Sequence, residues 1–478
     1  MAIRLWNRSY LGKRYFHSTL LQSSEKVIFF DEKMLQSLNM ENDDIEVTLQ
    51  ELPISNQEFT RGSKEADFGR KRIGSVDLPT PLIKSITQYI DQQPDKRLIR
   101  TDALRLYESL RSTSRLQSDD YDKTKINNNK KVNSKKKKNI ATTTTQPEPH
   151  ILSYGPRESA AYVAGVLPST YAAISNIFLE IKNRLMDFSP ISMLDFGTGP
   201  GTSIWAAKNT FDTINKVTGV DLSEDMLRVA EYIENDMQTK KDIDFKRYMT
   251  YDPRVPKTDL VVSAFTLGEI TSLALQQSTV KDLWDQTGDV LVLVERGTPV
   301  GFSTIARARQ WILDYEKEDI HVVAPCPHDK PCPLMYSSQA NVEKFWCHFS
   351  QRVQRPPFLM KTKHSKYNTE DSKYSYVIFR RKPRPSTESI DAASSSIEEK
   401  AYTWPRLIQP PLKKNKHVVM DVCSTSGTIQ RMVIPKSQGK VEYRDARKIT
   451  WGDQYPWKSK NKIVTRVSEG VVDSDDSN

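Results

Sequence analysis

The chain has 478 residues, enough for two or three domains, with a formal net charge of +10 and a hydrophobic fraction of 37%. The charge favours polyanionic partners, and the low apolar fraction assigns part of the length to segments that bury no core. No run of eighteen apolar residues occurs, so neither a transmembrane helix nor membrane insertion is expected.

Residues 1–24 carry Arg4, Arg8, Lys13 and Arg14, with no acid before Glu25. That composition predicts a mitochondrial presequence and makes the matrix the expected compartment. In a reducing matrix Cys326, Cys332, Cys347 and Cys423 are expected as thiols or metal ligands, not disulfides. Residues 25–118 begin charged and irregular, then show two amphipathic patterns that predict a helical N-terminal arm. Pro81 opens one, with Leu82, Ile83, Ile86 and Ile90 on a face; Thr101 caps the other, with Leu104, Tyr107 and Leu110. Residues 119–150 collapse to NNNKKVNSKKKKN and TTTT, a low-complexity linker whose Lys135 to Lys138 suits either a solvated run or an electrostatic RNA tether.

Order is expected again over 151–383. Ser159 to Val166 and Tyr171 to Leu185 have helical spacing, separated by Pro168. Strands are predicted at Met193 to Phe196, Lys216 to Asp221, Phe245 to Met249, Asp259 to Phe265, Asp289 to Val294, His321 to Ala324 and Tyr374 to Arg380. Helical patterns at Ile204 to Lys208 and Ser223 to Ile233 alternate with them. Such alternation implies right-handed crossovers and a parallel sheet with its ligand site at the strands' carboxyl ends. A cysteine-rich insertion, 325–350, separates the last two strands. A Ser-rich linker, 384–402, leads to a small C-terminal β module, 403–460, with strands at His417 to Cys423, Thr428 to Val433 and Val441 to Arg444, and a tail over 461–478.

The stretch MLDFGTGPGT is the most specific chemical signal. An apolar strand ending in Asp195 breaks into Gly197, Gly199 and Gly201, which free the backbone to approach a ligand at a helix amino end. Asp221 closes the next strand, where a carboxylate can take both hydroxyls of a ribose. The acid before the glycines resembles class I S-adenosylmethionine-dependent methyltransferases and implies that cofactor, with Asp195 facing its methionine end. No catalytic residue can be named: the position after the fourth strand reads SAFTLGEI, without the Asn/Asp-Pro-Pro-aromatic loop of amino-methylating enzymes and without a cysteine nucleophile. Glu269 and Glu295 are candidate bases or structural carboxylates.

Cys326, Cys332 and Cys347 lie close together among prolines and histidines, and Cys423 follows in the last module. Four thiolates satisfy tetrahedral zinc or a four-iron cluster, and the absence of paired C-x2-C knuckles favours iron-sulfur; buried free cysteines are the alternative. His328 and His348 could replace a thiolate on zinc. A metal joining Cys326 to Cys423 would clamp the last module onto the sheet, on the same rim as the glycine turn. Basic clusters at Arg380, Arg381, Lys382 and Arg384, at Lys413, Lys414 and Lys416, and at Arg444, Arg447 and Lys448 stand near Tyr443, Trp451 and Trp457, a pairing suited to phosphates and unstacked bases or to the rim of a β module.

Together YGPRESAAYVAGVLPSTYAA, MLDFGTGPGT, ERGTPVGF, APCPHDKPCPL, CHFSQR, VVMDVC and YRDARKITWGD resemble the mitochondrial small-subunit ribosome assembly family of methyltransferase-like proteins, over roughly residues 151–460. The resemblance implies an α/β class I methyltransferase-like Rossmann sheet in a matrix protein that binds small-subunit rRNA and ribosomal proteins during assembly. It also implies a 4Fe-4S cluster on Cys326, Cys332, Cys347 and Cys423. Two other functions fit the residues: an active S-adenosylmethionine-dependent rRNA methyltransferase, and a zinc-stabilised permanent component of the small subunit.

Overall fold

A computed structural model of the chain describes residues 62–116, 153–237, 242–250, 256–385 and 395–472. The expected presequence and the whole Lys-rich linker lie outside them. Among the described residues, the N-terminal part holds α1 (Lys64–Phe68), β1 (Ser75–Val76), α2 (Thr80–Asp91) and α3 (Lys96–Leu116). Thr101 is no cap: α3 starts earlier, where the Asp95 carboxylate accepts the Arg97 amide at 3.1 Å. Nor do these helices stand apart, since Leu82 and Ile86 are fully buried in the main core.

The chain continues with α4 (Pro156–Gly165) and α5 (Leu167–Arg184), where Pro168 sits in the first turn of the second helix. The alternating unit follows: β2 (Ser192–Phe196), α6 (Thr202–Thr210), β3 (Lys216–Val220), α7 (Glu224–Met237), β4 (Asp242–Lys246), β5 (Thr258–Ala264), α8 (Leu273–Gln286), β6 (Thr287–Arg296), α9 (Pro299–Tyr315) and β7 (His321–Ala324). After it come α10 (Pro333–Tyr336), β8 (Phe349–Gln354), α11 (Pro357–Lys363) and β9 (Thr369–Arg380). The large sheet has the order β1-β8-β9-β6-β5-β2-β3-β4, with β7 also on β9. The run from β6 to β4 is parallel, and β9 lies antiparallel to β6, the arrangement of a class I methyltransferase sheet. Alternate side chains feed two cores, as a doubly covered sheet requires. Met193, Leu260, Val262 and Val292 meet Ile174 and Phe178 of α5 on one face. Leu194, Val261, Leu291 and Leu293 meet Trp284 of α8 and Ile305 of α9 on the other.

The expected insertion conceals a strand. β7 pairs with β9 at Ile378 to Arg380 and β8 at Thr369 to Tyr374, both antiparallel. Two short strands therefore share one side of β9, β8 in turn carrying β1, and the cysteine-bearing segment leaves the sheet between them, opposite Ser375 to Val377. Phe349–Gln354 alternates buried and open residues like any half-covered strand, but CHFSQR is too short a signal for periodicity to decide.

The last module adds α12 (Ile397–Ala401), β10 (Arg406–Leu407), β11 (Leu412–Lys413), β12 (His417–Cys423), β13 (Ile429–Pro435), α13 (Lys440–Lys448) and β14 (Val464–Val467). Its five antiparallel strands run β10-β12-β13-β14, with β11 on β12. Two expectations change here. Val441 to Arg444 is helical, because Tyr443 and Ala446 share a face against the module's core. The fourth strand in the path comes from the presumed tail, and the Ser-rich stretch ends in a capping box, Ser396 with Glu399, that starts α12.

A buried polar stripe on α5, at Asn176, Glu180 and Arg184, ties these parts together at helical i, i+4 spacing. Glu180 accepts Lys71 Nζ at 2.6 Å, the Tyr376 hydroxyl at 2.5 Å and Arg406 Nη2 at 2.6 Å. Asn176 donates to the Lys71 carbonyl, and Arg184 to Gln454. Burial alone would push the Glu180 carboxyl up; Arg406, then Lys71 and Arg184, outweigh it and hold it well below the usual range. Among the described residues no single helix is long and apolar enough to cross a membrane. Removing one member of such a buried set strands the others, so Glu180→Ala is expected to cost about 3–5 kcal/mol in urea unfolding, whereas Glu224→Ala, whose exposed pair with Arg228 is worth little, should cost under about 1 kcal/mol.

Candidate functional site

The turn after β2 forms because Gly197, Gly199 and Gly201 adopt positive φ of 73°, 53° and 79°. Gly197 is fixed twice over, since a Cβ there would lie 2.0 Å from Thr266 Oγ1; a Cβ on Gly199 would meet open space. The amides of Gly197 and Thr198 donate to the Val220 carbonyl at 2.8 and 2.9 Å. Asp221, just past β3, accepts the Gly199 amide at 2.8 Å and the Ser223 amide at 2.8 Å. Asp195, at 1% exposure, takes the Thr198 hydroxyl at 2.7 Å on Oδ2, and among the described residues nothing meets hydrogen-bond geometry at Oδ1, although the Ser203 hydroxyl lies close enough to favour the charged form. Burial pushes its carboxyl up to about 7.

These residues fit S-adenosylmethionine. An orphaned buried carboxyl oxygen lies at the foot of the turn, the backbone above Gly199 is open, and α6 presents its amino end. Asp195 would answer the cofactor's ammonium and Asp221 its ribose hydroxyls; the cofactor itself would supply the methyl. The two candidate bases are engaged elsewhere. Glu295 is buried and accepts the Gly268 amide at 2.8 Å, while exposed Glu269 accepts the Tyr154 hydroxyl at 2.7 Å.

The four cysteines line one small cavity of about 40 Å³, shared by the insertion, α9, the β9 edge and the last module. Cys326 follows β7, Cys332 caps α10, Cys347 precedes β8, and Cys423 ends β12. Among the described residues no three His, Cys, Asp or Glu side chains close on a single point tightly enough to hold one metal ion as placed. Burial pushes Cys332 up to about 12, and Cys347 and Cys423 also upward, so each is a neutral thiol until a metal displaces its proton. The cationic wall is the telling part. Arg309, at 2% exposure, and Arg406, also at 2%, both line the cavity. Arg309 Nε and Nη1 and Arg406 Nε lack hydrogen-bond partners among the described residues. Four sulfurs facing unsatisfied guanidinium donors suit an anionic, thiolate-ligated centre, and either a 4Fe-4S cluster or zinc meets that description.

His328 is buried and lies behind this wall. Its Nδ1 faces the Lys330 carbonyl at 3.1 Å, which makes it the donor there and leaves Nε2 to accept from Cys423 Sγ at 3.3 Å. His348 stacks on Trp346, with Trp451 edge-on, and is not part of the cavity lining. The cavity and the glycine turn do not adjoin: β2 and β9 are three strand spacings apart, about 14 Å.

Of the basic clusters, the first is structural. Arg380 pairs with Asp187 and Asp289, Arg381 with Glu316, Lys382 with Asp187, and Arg384 with Asp329. The other two converge, since the Arg447 guanidinium donates to the Lys414 carbonyl and the Lys436 backbone amide to that of Lys416. Lys436, Lys440, Tyr443, Arg444, Arg447 and Lys448 line an open hollow along α13. Lys436 and Lys440 were missed in sequence, because their contribution depends on the helix that replaces the expected strand. Trp451 and Trp457 pack against the cores.

Residues 156–456 match the family model described as mitochondrial small ribosomal subunit Rsm22. The chain is 34% identical over 318 residues to "Ribosome assembly protein METTL17, mitochondrial" of Homo sapiens, covering 64% of each. It is 31% identical over 362 residues to "Rsm22-cox11 tandem protein 2, mitochondrial" of Schizosaccharomyces pombe, covering 69% of this chain and 46% of that one. The chain therefore spans less than two thirds of the length of either relative. Among solved structures, magnesium protoporphyrin IX methyltransferase of Synechocystis PCC 6803 superposes over 48% of this chain and 88% of that chain, at 14% identity and a TM-score of 0.29.

The geometry of the turn separates its glycines. Gly199→Ala should cost about 1–2 kcal/mol for the left-handed backbone alone, and Gly197→Ala a further 1–3 kcal/mol or so for the collision with Thr266, read as the shift in urea midpoint at constant slope.

Proposed function

Because the chain belongs to the Rsm22 family of mitochondrial small ribosomal subunit proteins, we propose that it is a mitochondrial assembly factor for the small ribosomal subunit. It acts in the matrix, binds small-subunit rRNA and ribosomal proteins, and holds a 4Fe-4S cluster on Cys326, Cys332, Cys347 and Cys423. The observation that carries this reading is the convergence of those four thiols, from three separate stretches of chain, on one cavity with cationic walls. When bound, the cluster supplies a covalent-strength cross-link between the insertion and the last module. The protein's own residues do the rest: Glu180 anchors the module through Arg406, and α13 offers its row of cations to phosphates.

S-adenosylmethionine fits the turn as a bound ligand on Asp195, Gly197, Gly199, Gly201 and Asp221. A second reading, an active rRNA methyltransferase, is favoured by the orphaned Asp195 oxygen and opposed by the engagement of both candidate bases. Zinc in place of the cluster would keep the cross-link and remove any redox character.

Three measurements test this. Anaerobically purified protein is expected to carry about four iron and four sulfide per chain, with Cys423→Ser losing both; stoichiometric zinc without iron overturns the cluster. Replacing Lys440, Arg444 and Arg447 by glutamate should lower the log–log salt slope of rRNA binding by about 3, and an unchanged slope moves the RNA surface elsewhere. In gradients of mitochondrial extract the protein should travel with immature small subunits; full occupancy on translating ribosomes would make it a permanent component instead.

A further inference from the structure

Helix α9 turns a stripe toward the cysteine cavity: Phe302, Ile305, Ala306 and Arg309, at i, i+3, i+4 and i+7. Three of the four positions are apolar, as a core-facing stripe demands. The fourth is a permanent cation at 2% exposure whose recorded hydrogen bond is from Nη2 to the His328 carbonyl, at 2.7 Å. Nε and Nη1 have no partner among the described residues. A buried guanidinium with two idle donors costs several kcal/mol unless something anionic meets it. Arg406, across the cavity, differs: Nη2 is on Glu180 and Nη1 on the Gly452 carbonyl, which leaves only Nε. The side chain free to answer charge in the cavity is therefore Arg309.

We propose that Arg309 is a positioning residue for the thiolate-ligated centre. It directs Nε–H and Nη1–H at the sulfurs, compensates their negative charge and thereby sets how tightly the centre is held and how readily it is reduced. This rests on the reading that the four cysteines hold a metal centre, and applies to a cluster or to zinc, because four thiolates leave either one with net negative charge. One-electron reduction of a cluster adds a further negative charge, so loss of the nearby cation disfavours the reduced form. The same residue behaves oppositely without metal: in the apoprotein the Asp329 carboxylate that attracts it is also paired with Arg384 and two of its donors stay unmet, so removing it relieves a burden. His328 reinforces the arrangement, since its carbonyl holds Nη2 while its ring touches Cys423.

The test compares the full chain with Arg309→Met and Arg309→Lys, each reconstituted anaerobically with ferrous iron and sulfide and, separately, with zinc alone. Metal content of the unaltered protein decides the underlying reading: if it binds neither iron nor zinc, both that reading and the proposal fail. Where metal is bound, Arg309→Met should release it to a chelator roughly 10-fold faster, and an iron-loaded sample should show a more negative reduction potential, with Arg309→Lys intermediate. Thermal unfolding supplies the control against a merely structural role. Arg309→Met should melt at or above the unaltered protein as apoprotein and below it when loaded. Equal chelator rates and potentials, or a destabilisation of the same size with and without metal, would overturn the proposal while leaving the cysteine reading intact.

Discussion

The last module stays on the sheet because a carboxylate with almost no solvent has three donors from three parts of the chain. Glu180 is reached by Lys71 from the N-terminal segment, Tyr376 from β9 and Arg406 from the last module. Buried charge is expensive unless its partners are in place, so this site is all-or-nothing. It makes the N-terminal segment and the last module conditions of one another's docking: the Lys71 amide also binds the Asp453 carboxylate, and the Gln454 amide binds the Gly69 carbonyl. The cysteine cavity sits against this set, with Arg406 belonging to both. Positive charge therefore accumulates beside the thiols, which is the condition under which sulfur can be ionised inside a protein.

Two sites thus share one sheet without sharing a wall. The glycine turn lies at the middle of the sheet, where β2 and β5 part toward α6 and its neighbours. The thiols lie at the β7/β8 edge, where the sheet is interrupted. A central site inherits its geometry from parallel strands and is hard to alter without altering the fold. An edge site is built by an excursion from a strand that has one partner, and it can be added while the ladder to β9 resumes in register beyond it.

Much of this was legible in the chain. The apolar strands, the glycines and Asp221 are local signals, and β7 and β12 lie where the residues predict. Failures came where a signal was short or tertiary. Val441 and Tyr443 alternate like a strand, and only the packing of Ala446 shows a helix. Phe349–Gln354 starts at the end of the expected insertion, and its 6 alternating residues are too few for periodicity to mark a strand. Asn176, Glu180 and Arg184 are polar residues at helical spacing whose burial the sequence does not mark. Their partners are distant in sequence, so nothing local marked them as buried. The first basic cluster looked like a phosphate surface, yet its carboxylates come from Asp187, Asp289, Glu316 and Asp329. Arg309 was unremarked for a related reason: an arginine ending an apolar stripe reads as the stripe's edge, and only burial shows it to be inside.

The placement of Cys423 has a consequence in time. Cys326, Cys332 and Cys347 leave the synthesising machinery early, and the fourth thiol arrives only after β9, the Ser-rich stretch and β10 have followed. Arg406, which lies in register with Cys423 on neighbouring strands, arrives with it. A chain stopped before β10 owns three sulfurs and half of the cationic wall. Whatever occupies the cavity can be enclosed only once β12 has been made and has folded back on the insertion, so occupancy is a record that the last module is in place.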